Sequence, residues 1–261
     1  MKTIAIANQK GGVGKTTLAR NLAFFAVERG LRTLCVDFDP QKNFSKTLRA
    51  FRERNLGAPA DGEDFLTAAA LFEGIDAAAP EPMDCGQGAF LVAAERELVD
   101  VAALPLEALH APRAALALLS DRFDLCIIDT APTLGNPLYA ALIASDFVVC
   151  PCTVDQDATD GLADLFEDIA RVQQMGWNAD LVPLGVLANC VNSRRVFDRE
   201  GLDQLRDELG ALLMDTVLFE RAATKYAKDR AVWQSQRGES HMLAAREMKA
   251  VCTRIFEKAT I

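Results

Sequence analysis

Residues 8–17 read Asn-Gln-Lys-Gly-Gly-Val-Gly-Lys-Thr-Thr, a set of side chains suited to holding phosphate. Gly11, Gly12 and Gly14 carry no side chain, so successive backbone N–H groups there can face an anion. Where such a loop runs into a helix, the free N–H groups of the first turn and the helix dipole add to the attraction. Lys15 can reach the outer phosphates, the Thr16 hydroxyl can ligate Mg²⁺, and Thr17 can hydrogen-bond an inner phosphate. The standard phosphate-loop pattern asks for glycine five positions before Gly14; that position is Gln9, and an additional lysine, Lys10, follows it. Two acidic motifs lie downstream. In Val36-Asp37-Phe38-Asp39-Pro40 the two aspartates are two residues apart, so on an extended chain they point to one side. One can hold Mg²⁺ through water while the other orients an attacking water. In Leu125-Cys126-Ile127-Ile128-Asp129-Thr130 an apolar run ends in the kind of carboxylate that supports a magnesium ion. Taken singly, such aspartates also serve as turn residues and helix caps. Their succession behind a phosphate loop is what points to nucleotide hydrolysis.

The elements that must position these residues follow from hydrophobic periodicity. Short apolar runs predict strands over 3–8, 32–39, 89–94, 124–130, 146–152 and 181–191, with a last one over 215–219. Leu18, Leu22, Phe25 and Ala26 recur at helical spacing over 16–29, and Gly30 ends that helix. Further helices are expected over 158–175 and 239–258. Apolar strands alternating with helices imply an α/β fold: one doubly wound, mostly parallel sheet with helices on both faces, which together with the glycine loop resembles the P-loop NTPase type. A single domain over 1–261 is expected, with the Ala-, Gly- and Pro-rich stretch 57–88 as a surface excursion carrying a short helix at roughly 63–74. Ligands in such a sheet sit beyond the carboxyl ends of the strands, where all three motifs fall.

The 261 residues are 50% apolar, enough to bury a large core, and carry a net charge of −9. An acidic chain argues against nucleic acid as a partner of the whole surface. The charge is uneven, however. Residues 221–258 hold nine Lys/Arg against four Asp/Glu, a surplus of five positive charges, which leaves the remainder at −14. Seven cysteines, an odd number set mostly in apolar runs, read as buried thiols of a reducing compartment rather than a disulfide framework. No secretory leader or membrane-length apolar run is seen, so a cytoplasmic location is expected.

The stretches Lys10–Thr17, Asp37–Gln41 and Ile127–Pro132 together resemble the ParA/MinD group of deviant Walker ATPases, and the resemblance runs from residue 2 to about 256. It implies a slow ATPase that binds ATP and Mg²⁺ through Gly11, Gly12, Val13, Gly14, Lys15, Thr16 and Thr17. It further implies that Lys10 reaches across a nucleotide-sandwich homodimer to the partner's phosphates, which is why Gln9 can replace the first glycine. Asp39 matches the residue that positions the hydrolytic water, Asp37 and Asp129 the magnesium-side carboxylates, and Asn189 an asparagine on the adenine ring. Relatives often carry Ile-Pro after the last strand; here Leu218-Phe219 stands in that place. A ParA-type member would bind DNA non-specifically in its ATP state, associate with the nucleoid, segregate plasmid or chromosome DNA, and respond to a centromere-bound ParB-like activator. Arg194, Arg195, Arg221, Lys225, Lys228 and Arg230 are the candidate phosphate-neutralising residues. The alternative is a MinD-like protein positioning a protein cluster or a membrane-linked cargo. The tail argues against membrane binding: Met248, Val251, Cys252, Ile255 and Phe256 form one stripe, as in a helix packed on its own domain. Cys150 and Cys152 end an apolar strand and do not complete a four-thiolate cluster site.

Overall fold

The computed structural model describes all residues but 61, 156, 157, 228 and 235–237, and only the backbone of 158–160, 225 and 226. Seven strands form one sheet: β1 (Lys2–Ile6), β2 (Thr33–Phe38), β3 (Met83–Gly86), β4 (Ala89–Val92), β5 (Leu125–Thr130), β6 (Phe147–Cys152) and β7 (Val182–Ala188). Their order is β3-β4-β2-β5-β1-β6-β7, with every pairing parallel except the β3–β4 hairpin at one edge. Central strands β2 and β5 are buried along their whole length, which is why they read as continuous apolar runs rather than alternating ones. The fold is therefore α/β and doubly wound, as the alternation of runs and helices predicts.

The helices are α1 (Lys15–Val27), α2 (Asn43–Leu56), α3 (Ala70–Glu73), α4 (Ala111–Leu119), α5 (Asn136–Ala144), α6 (Ala158–Gln174), α7 (Val196–Leu209), α8 (Ala222–Tyr226) and α9 (Glu239–Ala259). Successive strand residues point to opposite faces, and each face has its own core. Ile4, Ile6, Cys35, Leu125 and Ile127 pack with α1, α2, α8 and α9; Ala5, Val36, Cys126, Ile128 and Val148 pack with α3 to α7. Phe25 of α1 meets Phe256 of α9 edge-on, with ring centroids 5.1 Å apart.

Two expectations need correction. Residues 57–88 are not simply a surface excursion: Leu66, Ala68, Leu71, Phe72, Met83 and Cys85 are buried, and Met83–Gly86 adds an antiparallel edge strand. Alanine- and glycine-rich composition hid these anchors because each is isolated. The helix there is a single turn, Ala70–Glu73, where a longer one over about 63–74 was expected. Nor do residues 215–219 form a strand. The segment lies along the outer edge of β7, bonded through Met214 N–H to Val186 O at 2.8 Å and Leu218 N–H to Ala188 O at 3.0 Å. Only Met214 and Leu218 of this segment are buried, four residues apart rather than two, so the pairing amounts to isolated bridges.

Register places the functional end. Asp37 is level with Asp129 across β2–β5, and Ile6 is level with Asp129 across β1–β5. The loop that follows β1 therefore emerges beside both aspartates, next to the point where the chain switches from the β2 side of β1 to the β6 side.

Helix α7 is held close to the loop after β6 by Gly201, where an added Cβ would lie 2.2 Å from the Val154 carbonyl oxygen. Alanine normally gains up to about 1 kcal/mol over glycine inside a helix. Gly201→Ala should instead lose about 1–3 kcal/mol through overpacking against backbone, read as a lowered urea midpoint. A midpoint equal to or above that of the parent protein would refute this packing.

Candidate functional site

The loop after β1 turns through two left-handed glycines, Gly12 at φ 77° and Gly14 at φ 93°, before α1 begins at Lys15. A side chain at Gly14 would also displace Asn189. A Cβ there would lie 2.2 Å from the Asn189 side-chain nitrogen. That nitrogen donates to the Val13 carbonyl at 2.7 Å, so Asn189 clamps the loop from the end of β7. No side chain caps α1 and no acidic residue stands in its first turn, which leaves the positive end of the helix to whatever the loop encloses.

Three carboxylates and one ammonium converge here, and all are buried. Asp37 is fully engaged: Oδ1 accepts the Asp39 N–H at 3.0 Å, and Oδ2 accepts the Ser45 N–H and hydroxyl, both at 2.7 Å. Burial pushes its carboxyl up to about 6, against the pull of the Ser45 hydrogen bonds. Asp39 accepts the Gln41 N–H at 2.9 Å in a tight turn. Asp129 differs from both. It is 0% exposed, and neither of its oxygens has a hydrogen-bond partner among the described residues. Burial first, and Asp37 second, push it well above the usual carboxylate range, while the Thr16 hydroxyl works the other way. Lys15 is depressed by burial, partly offset by Asp129 and Asp39, and its ammonium donates to the Lys10 carbonyl at 3.0 Å.

The two residues that depart from the standard loop each have a partner. Lys10 forms an ion pair with Asp155, beyond the end of β6. Gln9 donates its side-chain amide to Asp168 of α6 at 2.9 Å. Next to the loop lies a cavity of about 210 Å³ whose walls include Gly12, Thr17, Cys190, Phe219, Arg221 and Met248.

A family model described as an AAA domain matches residues 1–182. Protein IncC of Escherichia coli is 35% identical over an alignment spanning 100% of this chain and 71% of that protein. The chromosome-partitioning ATPase Soj of Thermus thermophilus is 34% identical over 84% of this chain and 81% of that protein. The chain belongs to the ParA-type ATPase family. Among solved structures, apo McdA of Cyanothece shares the fold with a TM-score of 0.81 at 20% identity, over 99% of both chains. Cobyrinic acid a,c-diamide synthase of Mycobacterium smegmatis, with bound ADP and magnesium, superposes at a TM-score of 0.73 and 26% identity, over 98% of this chain and 96% of that one.

Within this ParA-type frame, Gly11, Gly12, Val13, Gly14, Lys15, Thr16, Thr17, Asp37, Asp39 and Asp129 all lie at the carboxyl ends of β1, β2 and β5. Asn189, expected on an adenine ring, stands at the end of β7 beside the glycine loop. It lines the cavity, yet its hydrogen bonds hold the chain itself, with Nδ2 on Val13 O and Oδ1 accepting the Cys190 N–H at 2.8 Å.

The four basic candidates whose side chains are described stand in different environments. Arg221 is a cavity wall: its guanidinium clasps Glu247 of α9 in a two-pronged pair, with the Nε bond at 2.8 Å, and sits 5.8 Å from the Phe219 ring centroid. Arg230 is exposed, but Asp229 offsets its charge at 3.1 Å, and Asp229 also pairs with Arg54. Arg194 and Arg195 are exposed in the loop before α7 and have no ion-pair partner among the described residues. Lys225 contributes only backbone to this description, and Lys228 lies outside the described residues.

Sequence reasoning missed the residues that hold the machinery from behind. Arg20 of α1 is buried and donates to Thr224 O at 3.1 Å; its neighbour Asn21 accepts the Val232 N–H at 2.9 Å. Together they anchor α8 and the chain that follows it to α1. A polar pair placed directly after apolar Leu18 and Ala19 is the only trace they leave in the sequence.

The Asn189 clamp can be tested without any ligand. Asn189→Asp keeps an acceptor for Cys190 but sets a carboxylate against the Val13 carbonyl. It should lower stability by about 1–3 kcal/mol in urea denaturation at neutral pH. Parent-like stability would show the clamp to be idle.

Proposed function

We propose that this chain is an ATP-hydrolysing switch of the ParA kind, which pairs with a second copy around nucleotide, binds DNA without sequence preference in that state, and thereby positions plasmid or chromosome DNA. The observation that carries the reading is the orphaned Asp129 carboxylate opposite Thr16 at the mouth of the glycine loop. Three buried carboxylates beside a single lysine leave an excess of negative charge that protein groups do not offset. A magnesium–nucleotide complex fits that deficit. Among the described residues no three acidic, His or Cys side chains stand close enough to hold a metal ion on their own, as suits an ion that keeps several waters and takes its other ligands from phosphate. Thr16, with Asp129 and Asp37 through water, would hold it. Bound there, it would neutralise charge on the outer phosphates. The likeness to a synthase holding ADP and magnesium supports the same assignment.

The chain's own residues then divide the work. The N–H groups of residues 11–17 bind the phosphate oxygens, and Lys15 turns from the Lys10 carbonyl to the outer phosphate. Asp39, held in its turn by Gln41, orients the attacking water. Lys10 leaves Asp155 and crosses to the phosphates of the second copy, where a positive charge stabilises the transferring group. Turnover is slow until an activator resembling ParB engages the pair.

For DNA, Arg194 and Arg195 are the best-supported contacts. Arg195 occupies the cap position of α7, where a cation meets the positive end of a helix. Two such charges, exposed and without an ion-pair partner among the described residues, suit an outside polyanion. Lys225 and Lys228 remain candidates on sequence grounds, whereas Arg221 is reassigned to the nucleotide cavity.

Lys10→Ala should still bind a fluorescent ATP analogue but stay monomeric with ATP in sedimentation; a variant that pairs normally would remove Lys10 from the interface. The pair Arg194→Glu and Arg195→Glu should weaken ATP-dependent retention on non-specific duplex DNA by about tenfold or more and flatten its salt dependence by roughly two units of slope. Unchanged retention would move the DNA surface elsewhere.

A further inference from the structure

Gln9 is the residue that breaks the standard loop, and its side chain is in use. Its amide nitrogen donates at 2.9 Å to Oδ2 of Asp168, an aspartate only 4% exposed on α6. The other carboxylate oxygen, Oδ1, accepts the Tyr139 hydroxyl from α5 at 2.5 Å. Arg171, one turn along α6, donates to the same hydroxyl at 2.9 Å and lies 3.7 Å from Asp168 Oδ1. A buried carboxylate is thus shared between the loop and two helices, with its charge balanced only from the rim.

This linkage bears on Lys10 in particular. Asn8, on the other side of Gln9, donates to Pro151 O of β6 at 2.8 Å and accepts the Lys10 N–H at 2.8 Å. The loop is therefore tied to β6 through Asn8 and to α6 through Gln9, immediately before Lys10. Helix α6 itself comes against this stretch, with a Cβ at Gly161 lying 3.9 Å from the Asn8 oxygen and 4.0 Å from Lys10 Cβ. A glycine at position 9 could not reach Asp168. By contrast, the phosphate-facing N–H groups and Lys15 lie beyond Lys10, and among the described residues their one hydrogen bond toward the network is that of Lys15 to the Lys10 carbonyl.

We propose that the Gln9–Asp168 hydrogen bond is a positioning strut. It fixes the direction from which Lys10 is presented, so that pairing of two copies depends on it while capture of nucleotide by one copy does not. The inference rests on the sandwich reading above and gives the missing glycine a purpose of its own: position 9 needs a side chain because α6 must hold the loop there. Gln9 and Asp168 act through Lys10 and are not catalytic residues.

The test compares two readouts in Gln9→Gly, Asp168→Ala and Asp168→Asn. Affinity of the single chain for a fluorescent ATP analogue reports capture; sedimentation with magnesium and ATP reports pairing. Gln9→Gly and Asp168→Ala should keep nucleotide affinity within about threefold and raise the concentration for half-pairing about tenfold or more, the size expected for a hydrogen bond to a charged group. Asp168→Asn retains an oxygen that can accept from Gln9 and should recover most of the pairing. If Asp168→Ala fails to fold, Gln9→Gly, which leaves the Tyr139 contact in place, decides alone. Normal pairing by Gln9→Gly overturns the strut, as does loss of nucleotide affinity in step with pairing. A parent chain that stays monomeric with ATP overturns the sandwich reading, and the strut falls with it; the two failures are therefore distinguishable.

Discussion

Everything at the working end of this protein answers to one electrostatic constraint: Asp37, Asp39 and Asp129 are buried together with a single lysine. Removing carboxylates from water is costly unless hydrogen bonds or opposite charge replace the solvent. The chain meets that demand unevenly. Asp37 receives three donors, two of them from Ser45 at the start of α2, and so doubles as the anchor of that helix. Asp39 is folded into its own turn. Asp129 has no well-formed hydrogen bond among the described residues and only the nearby Thr16 hydroxyl and Lys15 to favour its charge, while Lys15 is drawn back onto a backbone carbonyl. The imbalance sits where the strand ends and the helix N-terminus meet, so a bound anion and its counter-ion would bring what the protein withholds.

The parallel sheet exists to make this concentration of charge tolerable. The level register of Asp37 with Asp129, and of Ile6 with Asp129, brings three distant stretches of sequence side by side with these three residues fully buried. Two separate cores, one on each face, hold those strands rigid from both sides. The first core includes α9, which packs its Met248, Val251, Cys252, Ile255 and Phe256 stripe inward; that apolar face is occupied within the fold. No helix among the described residues is long and apolar enough to cross a membrane.

Much of this was legible before any coordinates. Strands β1, β2, β5 and β6 announce themselves because double-sided burial forces unbroken apolar runs, and the glycine loop because few other sequences fit the turn. The edges were less legible. Met83–Gly86 pairs on one side only and carries two buried residues among polar ones, a pattern too short to stand out. The segment 215–219 has strand-like composition but touches β7 at every fourth residue. At the site, residue types were readable and partnerships were not. Arg221 looked like part of a basic surface because its neighbours are basic; Glu247, which claims it, is 26 residues away. Asp168 carries no signal at all until α6 folds beside the loop.

The closure of the nucleotide cavity by α9 has a consequence for the order of events during synthesis. Helix α1 follows the phosphate loop and is among the first segments made, yet Phe25 packs on Phe256 and Asn21 holds Val232. Contacts separated by more than 200 residues form late, because the intervening chain must first be ordered. A nascent chain would therefore carry its glycine loop, with its N–H groups and Lys15, long before residues 239–259 have emerged to complete the cavity wall. The cavity beside the loop therefore takes its final shape only after almost the whole chain has been made.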